Sequence, residues 1–88
     1  MVKTEQKTAS KARFYKADTA KLQAAIDSTG KFKTEIASAG GLSKEVLTKA
    51  LNGLRITEAK ANGICNGLNE SGCKPKASRE VLFPYGEN

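Results

Sequence analysis

Apolar residues in this chain recur at helical spacing in four short stretches, and glycine closes every one of them. Leu22, Ala25 and Ile26 share one side of the first stretch, which ends at Gly30. Ile36 and Ala37 mark the second, ended by Gly40-Gly41; Val46, Leu47, Ala50 and Leu51 mark the third, ended by Asn52-Gly53. Ala61, Ile64, Cys65 and Leu68 form the stripe of the fourth, and beyond it Gly72 and Pro75 oppose continuation. Residues three and four apart lie on one helix face. Glycine enters the left-handed backbone that ends a helix at little cost. Asp18 or Thr19, Ser43 and Thr57 stand where an oxygen side chain accepts from the first unpaired N–H groups of a helix. The pattern predicts helices over about 19–29, 33–39, 44–52 and 58–69. The expected fold is mainly α, a small four-helix domain.

The flanks are less regular. Residues 1–12 have no apolar periodicity and read as a basic arm, outside a domain spanning 13–73. Arg13-Phe14-Tyr15-Lys16 has strand character. Residues 74–88 read as a C-terminal extension in which Arg79-Glu80-Val81-Leu82-Phe83 forms a short strand ended by Pro84. That strand pairs either with Arg13–Lys16 or with its own copy in a second chain. Gly63 and Gly67 lie one turn apart, off the apolar stripe. They are either tolerated on an exposed face or there to admit a partner helix; tolerance is the favoured reading, and the expected dimer contact is placed in Val81, Leu82, Phe83 and Tyr85 instead.

A chain of 88 residues is one domain's worth, and a domain this small buries only about two thirds of its unfolded surface. The net charge of +6 is unevenly spread: residues 1–33 carry +5, residues 34–73 are neutral, and residues 74–88 carry +1. A basic third attached to a balanced core suits a polyanionic partner. No apolar run approaches the roughly 20 residues of a membrane span, and no apolar signal segment is visible, so a cytoplasmic protein without membrane contact is expected. The absence of histidine removes Cys/His zinc sites, Ser/His/Asp triads and Cys/His nucleophiles. With no other acid–base constellation, the chain is not expected to be an enzyme or to hold a metal or cofactor. Cys65 belongs to the helical stripe and is assigned to packing; Cys73 is assigned to the tail as a reduced thiol.

The third predicted helix carries the functional signal. Its apolar side anchors it, and Lys44, Glu45, Thr48, Lys49 and Asn52 fall almost opposite. Residues 34–51, Thr-Glu-Ile-Ala-Ser-Ala-Gly-Gly-Leu-Ser-Lys-Glu-Val-Leu-Thr-Lys-Ala-Leu, resemble the helix-turn-helix of lambda-repressor-like (Cro-type) regulators. Ala37 matches the small residue where the two helices cross, Gly41 the turn glycine and Leu42 the buried residue after it. Leu47 and Ala50 match the inward positions of the recognition helix. The likeness covers roughly residues 19–70. It departs at Gly40, where an apolar residue is usual, at Phe32, which takes the expected N-cap of the second helix, and in lacking Asn-Pro before the fourth helix. Residues 41–51 also look like the recognition region of addiction-module antidotes, which implies a toxin partner as an alternative.

The resemblance implies a sequence-specific regulator of transcription, of phage or plasmid type, that acts as a homodimeric repressor on double-stranded DNA. Ser43, Lys44, Glu45, Thr48 and Asn52 would meet base edges. Lys31, Lys33, Thr34, Lys49 and Arg55 would hold the DNA backbone. Lys3, Lys7, Lys11, Arg13 and Lys16 form the arm that follows the duplex or enters a groove. An RNA-binding alternative would require a platform of exposed aromatics, which Phe14, Phe32, Phe83, Tyr15 and Tyr85 do not form by spacing.

Overall fold

In a computed structural model, which describes residues 13–74 and 76–87, the caps set the helices where the sequence places them. Asp18 accepts from the N–H of Lys21 at 3.3 Å and starts α1, Thr19–Thr29, which Gly30 ends in the left-handed region at φ 67°. Helix α2 runs Lys33–Ala39 and α3 runs Lys44–Leu51. Thr57 accepts from the N–H of Lys60 at 3.3 Å and opens α4, Glu58–Glu70. The molecule is mainly helical with a small sheet. Strand β1, Phe14–Lys16, lies at the centre of three antiparallel strands in the order β2-β1-β3. Its neighbours are β2, Ile56–Thr57, with Tyr15 opposite Ile56, and β3, Tyr85–Glu87, with Tyr15 opposite Gly86.

The C-terminal segment differs from its sequence reading. Arg79–Leu82 is a single helical turn, α5, and the strand lies beyond Pro84 rather than before it. The N–H of Phe83 donates to the carbonyl of Arg79 at 2.7 Å, a helical bond that a strand cannot make. The Arg79 side chain reinforces the turn: Nη1 donates to the Phe83 carbonyl at 3.0 Å, and the guanidinium stacks 4.1 Å from the Tyr15 ring centroid.

This segment also belongs to the core. Phe83 has no exposed surface, and with Leu22, Ile36, Leu47, Ile64 and Leu68 it makes up the largest fully buried side chains. Ala77 and Leu82 are buried beside them. The Asn69 side chain fastens the segment to α4 by a reciprocal pair: Nδ2 donates to the Ala77 carbonyl at 3.0 Å, and Oδ1 accepts from the Ala77 N–H at 2.7 Å. The Asp18 N–H donates to the Leu82 carbonyl at 2.9 Å, which ties the start of α1 to the same segment. Leu82 and Phe83 therefore cannot face a second chain. Their apolar surface is used within one molecule, while Val81 and Tyr85 stay about half exposed. Cys73, too, is a core residue rather than part of a tail: it is buried, and the Ser28 hydroxyl donates to its Sγ at 3.6 Å.

Gly63 and Gly67 have a neighbour that the apolar pattern does not reveal. Both are buried on α4, where α2 of the same chain crosses against them. A Cβ on Gly67 would overlap the Ile36 carbonyl oxygen, and one on Gly40 would overlap that of Gly63. Glycine at all three positions lets the two backbones touch. The helix that approaches is an internal one.

Candidate nucleic-acid interface

The surface built by α2, the turn after it and α3 begins with the turn. Helix α2 closes with Gly41 in the left-handed region at φ 74°, a conformation that L side chains rarely adopt. The Leu42 N–H reaches back to the Ala37 carbonyl at 2.8 Å and that of Gly41 to Ser38 at 3.0 Å. This is the bond pattern of a Schellman cap. It aims Leu42 inward, where it packs half-buried against the core, and delivers Ser43 as the first residue of a new helix axis.

Helix α3 is held from one side. Leu47 and Ala50 have no exposed surface, and Val46 and Leu51 pack partly buried beside them. Ile36 and Ala37 of α2 are buried in the same way. With the apolar side fixed, Ser43, Lys44, Glu45, Thr48, Lys49 and Asn52 are all exposed along the opposite edge. Ser43 occupies the N-cap by backbone geometry, but its hydroxyl makes no capping bond and points to no partner among the described residues. Nothing in the described chain covers this edge.

The groups assigned to the DNA backbone divide in two. Lys31, Lys33, Thr34 and Lys49 are exposed, and Lys33 and Thr34 share a shallow depression with Phe32 and Lys44. The starts of α2 and α3 thus converge on one basic concavity. Arg55 belongs elsewhere: its guanidinium lies 4.9 Å from the Phe14 ring centroid and 3.7 Å from Glu87 Oε1, on the sheet. Its side chain keeps 59% of its surface exposed, so the contact is a surface one.

The arm is likewise divided. Lys3, Lys7 and Lys11 lie outside the described residues. Lys16 ends β1, and Arg13 immediately precedes that strand. The Arg13 N–H donates to the Glu87 carbonyl at 2.9 Å, and Lys16 Nζ lies 3.0 Å from Glu87 Oε2. The hydrogen bond from Lys16, with the charges of Lys16 and Arg55, holds the Glu87 carboxyl below its ordinary range.

Phe32 is the residue that sequence reasoning placed without a role. It is 78% exposed, the most exposed large apolar side chain among the described residues. Its backbone is fixed by Glu35, whose Oε1 accepts from the Phe32 N–H at 2.9 Å, and the ring projects beside the lysines. The signal was present: an aromatic residue where a helix usually begins with an oxygen side chain, off every apolar stripe.

Comparison with family models, with curated proteins and with solved structures gives no match to this chain. The functional reading therefore rests on the residues and their geometry.

Proposed function

We propose that the chain is a sequence-specific double-stranded DNA-binding protein of the helix-turn-helix kind. In this reading α3 enters the major groove, and the protein regulates transcription. One observation carries the reading. The burial of Ile36, Ala37, Leu47 and Ala50 leaves Ser43, Lys44, Glu45, Thr48, Lys49 and Asn52 along one uncovered edge, with the Lys33–Thr34–Lys44 concavity beside it.

The side chains on that edge suit base recognition. A major groove about 12 Å wide admits a helix and presents a distinct pattern of donors, acceptors and methyl groups for each base pair. Lys44 donates, Glu45 accepts, Thr48 offers a methyl and a hydroxyl, and Asn52 both donates and accepts. Lys31, Lys33, Thr34 and Lys49 serve the phosphates, fixing orientation without reading sequence. Arg55 joins them only by leaving its exposed contact with Glu87. One module this small reads few base pairs. Two copies on a palindrome, with half-sites roughly 34 Å apart, supply the rest of the specificity and make repression by occlusion the simplest mode of action.

Fluorescence anisotropy on a preferred duplex and a scrambled one separates these roles. Lys33→Ala and Lys49→Ala should weaken both duplexes alike, each reducing the log–log salt slope by about 0.9. Thr48→Ala and Asn52→Ala should each cost about 1–3 kcal/mol on the preferred duplex alone. Equal losses on both duplexes for all four variants would remove α3 from sequence reading.

A further inference from the structure

On a different part of the molecule, α1 lines an open cleft of about 210 Å³ together with Cys73, Lys74, Lys76, Ala77, Val81 and Leu82, and the DNA reading does not use it. Its floor is made of core residues: Cys73, Ala77 and Leu82 are buried, and Ala25 is half-buried. Ala24 and the exposed flank of Val81 form its lip. Lys21, Lys74 and Lys76 also line it, and no acidic side chain does so among the described residues. All three lysines are exposed, and none forms an ion pair among the described residues.

We propose that this cleft binds a small organic anion with an apolar tail, a medium-chain carboxylate in chemical class. The tail would lie on the Ala25, Ala77 and Leu82 surface and extend the core outward, removing the Val81 flank from water. The carboxylate would stay at the mouth, where three ammonium groups compete for it without an internal counter-charge. The volume decides between occupants. Pockets for drug-sized ligands begin at roughly 300 Å³, so this cleft takes a single short chain. Its charge selects against neutral and cationic tails. The proposal goes beyond DNA binding and does not depend on it.

Octanoate is the probe, with octanol as its uncharged counterpart. Each is titrated into the full chain and followed by methyl resonances in heteronuclear NMR. Octanoate should shift Ala24, Ala25, Ala77, Val81 and Leu82 in a saturable way, with half-saturation near about 1 mM or tighter. Octanol should bind about tenfold more weakly, and the triple variant Lys21→Gln, Lys74→Gln, Lys76→Gln should lose about the same factor for octanoate. The substituted side chains are exposed, and an unchanged thermal transition would show that the fold is intact. The absence of saturable shifts overturns the proposal. Equal binding of octanol and octanoate also overturns it, because the lysines would then contribute nothing to recognition.

Discussion

Gly67 and Gly40 lie backbone against backbone, where α4 passes under the end of α2. A Cβ built on Gly67 would stand 3.0 Å from the Gly40 nitrogen and overlap the Ile36 carbonyl oxygen. The contact joins the helix that carries the turn to α4, the longest helix among the described residues.

Replacing Gly67 distinguishes this close approach from an exposed helical glycine by sign. On an open face Gly67→Ala would stabilise the protein by about 1 kcal/mol through helix propensity. Against α2 it should destabilise by about 1–3 kcal/mol, as overpacking does. Gly72 supplies a control of another kind. It has open space around it but sits at φ 91°, so Gly72→Ala should cost roughly 1 kcal/mol from backbone strain alone. Urea unfolding followed by circular dichroism measures both variants.

The C-terminal segment should prove indispensable to the fold. Phe83→Ala should cost about 3–5 kcal/mol, as expected for a fully buried aromatic. A chain cut after Gly72 loses Ala77, Leu82, Phe83 and β3 together, and should show no cooperative thermal transition. A stable, folded truncated monomer would contradict this and restore the segment to the status of an extension.

Asn69 tests the attachment of that segment more gently. Asn69→Ala deletes both partners of the Ala77 backbone at a half-buried site. It should cost about 1–3 kcal/mol, and hydrogen exchange should show the loss concentrated at residues 77–83. Uniformly faster exchange over α1 and α4 would argue against a local clasp.

The contrast between the first four helices and the last fifteen residues has a physical cause. Helices α1 to α4 are specified by neighbours in sequence: Asp18 and Thr57 cap by bonds to residues three positions on, and Gly30 and Gly41 end helices by their own φ angles. Apolar spacing within each helix identified Leu22, Ile36, Leu47 and Leu68 as core, and it identified the polar edge of α3 opposite Leu47 and Ala50. Residues 79–87 are specified from a distance. Val81 and Phe83 have β propensity, but Arg79 stacked on Tyr15 and Asp18 bonded to Leu82 hold the segment as a helical turn. Gly63 and Gly67 fail as signals for a related reason. A glycine chosen for an approaching backbone carries no apolar side chain, so no hydrophobic pattern marks it. The strand character of Arg13–Lys16 was legible, but the side chains of Lys16 and Arg55 counted only as charge, because their common partner Glu87 lies more than thirty positions from either of them.

Cys65 gives a prediction in pH. Burial pushes its thiol from its ordinary 9.0 up to about 11, against the lowering effect of Arg79. In the unfolded chain the thiol ionises first, so between about pH 9 and 11 the unfolded state holds fewer protons than the native one. Stability contributed by this group is present below pH 9 and declines as pH rises toward 11. The stability difference between the wild type and Cys65→Ala, measured by denaturant unfolding, should therefore narrow over that window. A difference constant from pH 7 to 11 would contradict the assignment.

Selection from a random duplex pool tests most directly whether the uncovered edge of α3 reads DNA sequence, as proposed. Full-length protein should enrich one motif, palindromic if two copies bind. The same selection with Thr48→Ala and Asn52→Ala combined should lose or change that motif while the protein remains folded. If successive rounds with the wild type enrich no sequence over the starting pool, α3 does not read bases and the proposed function is wrong.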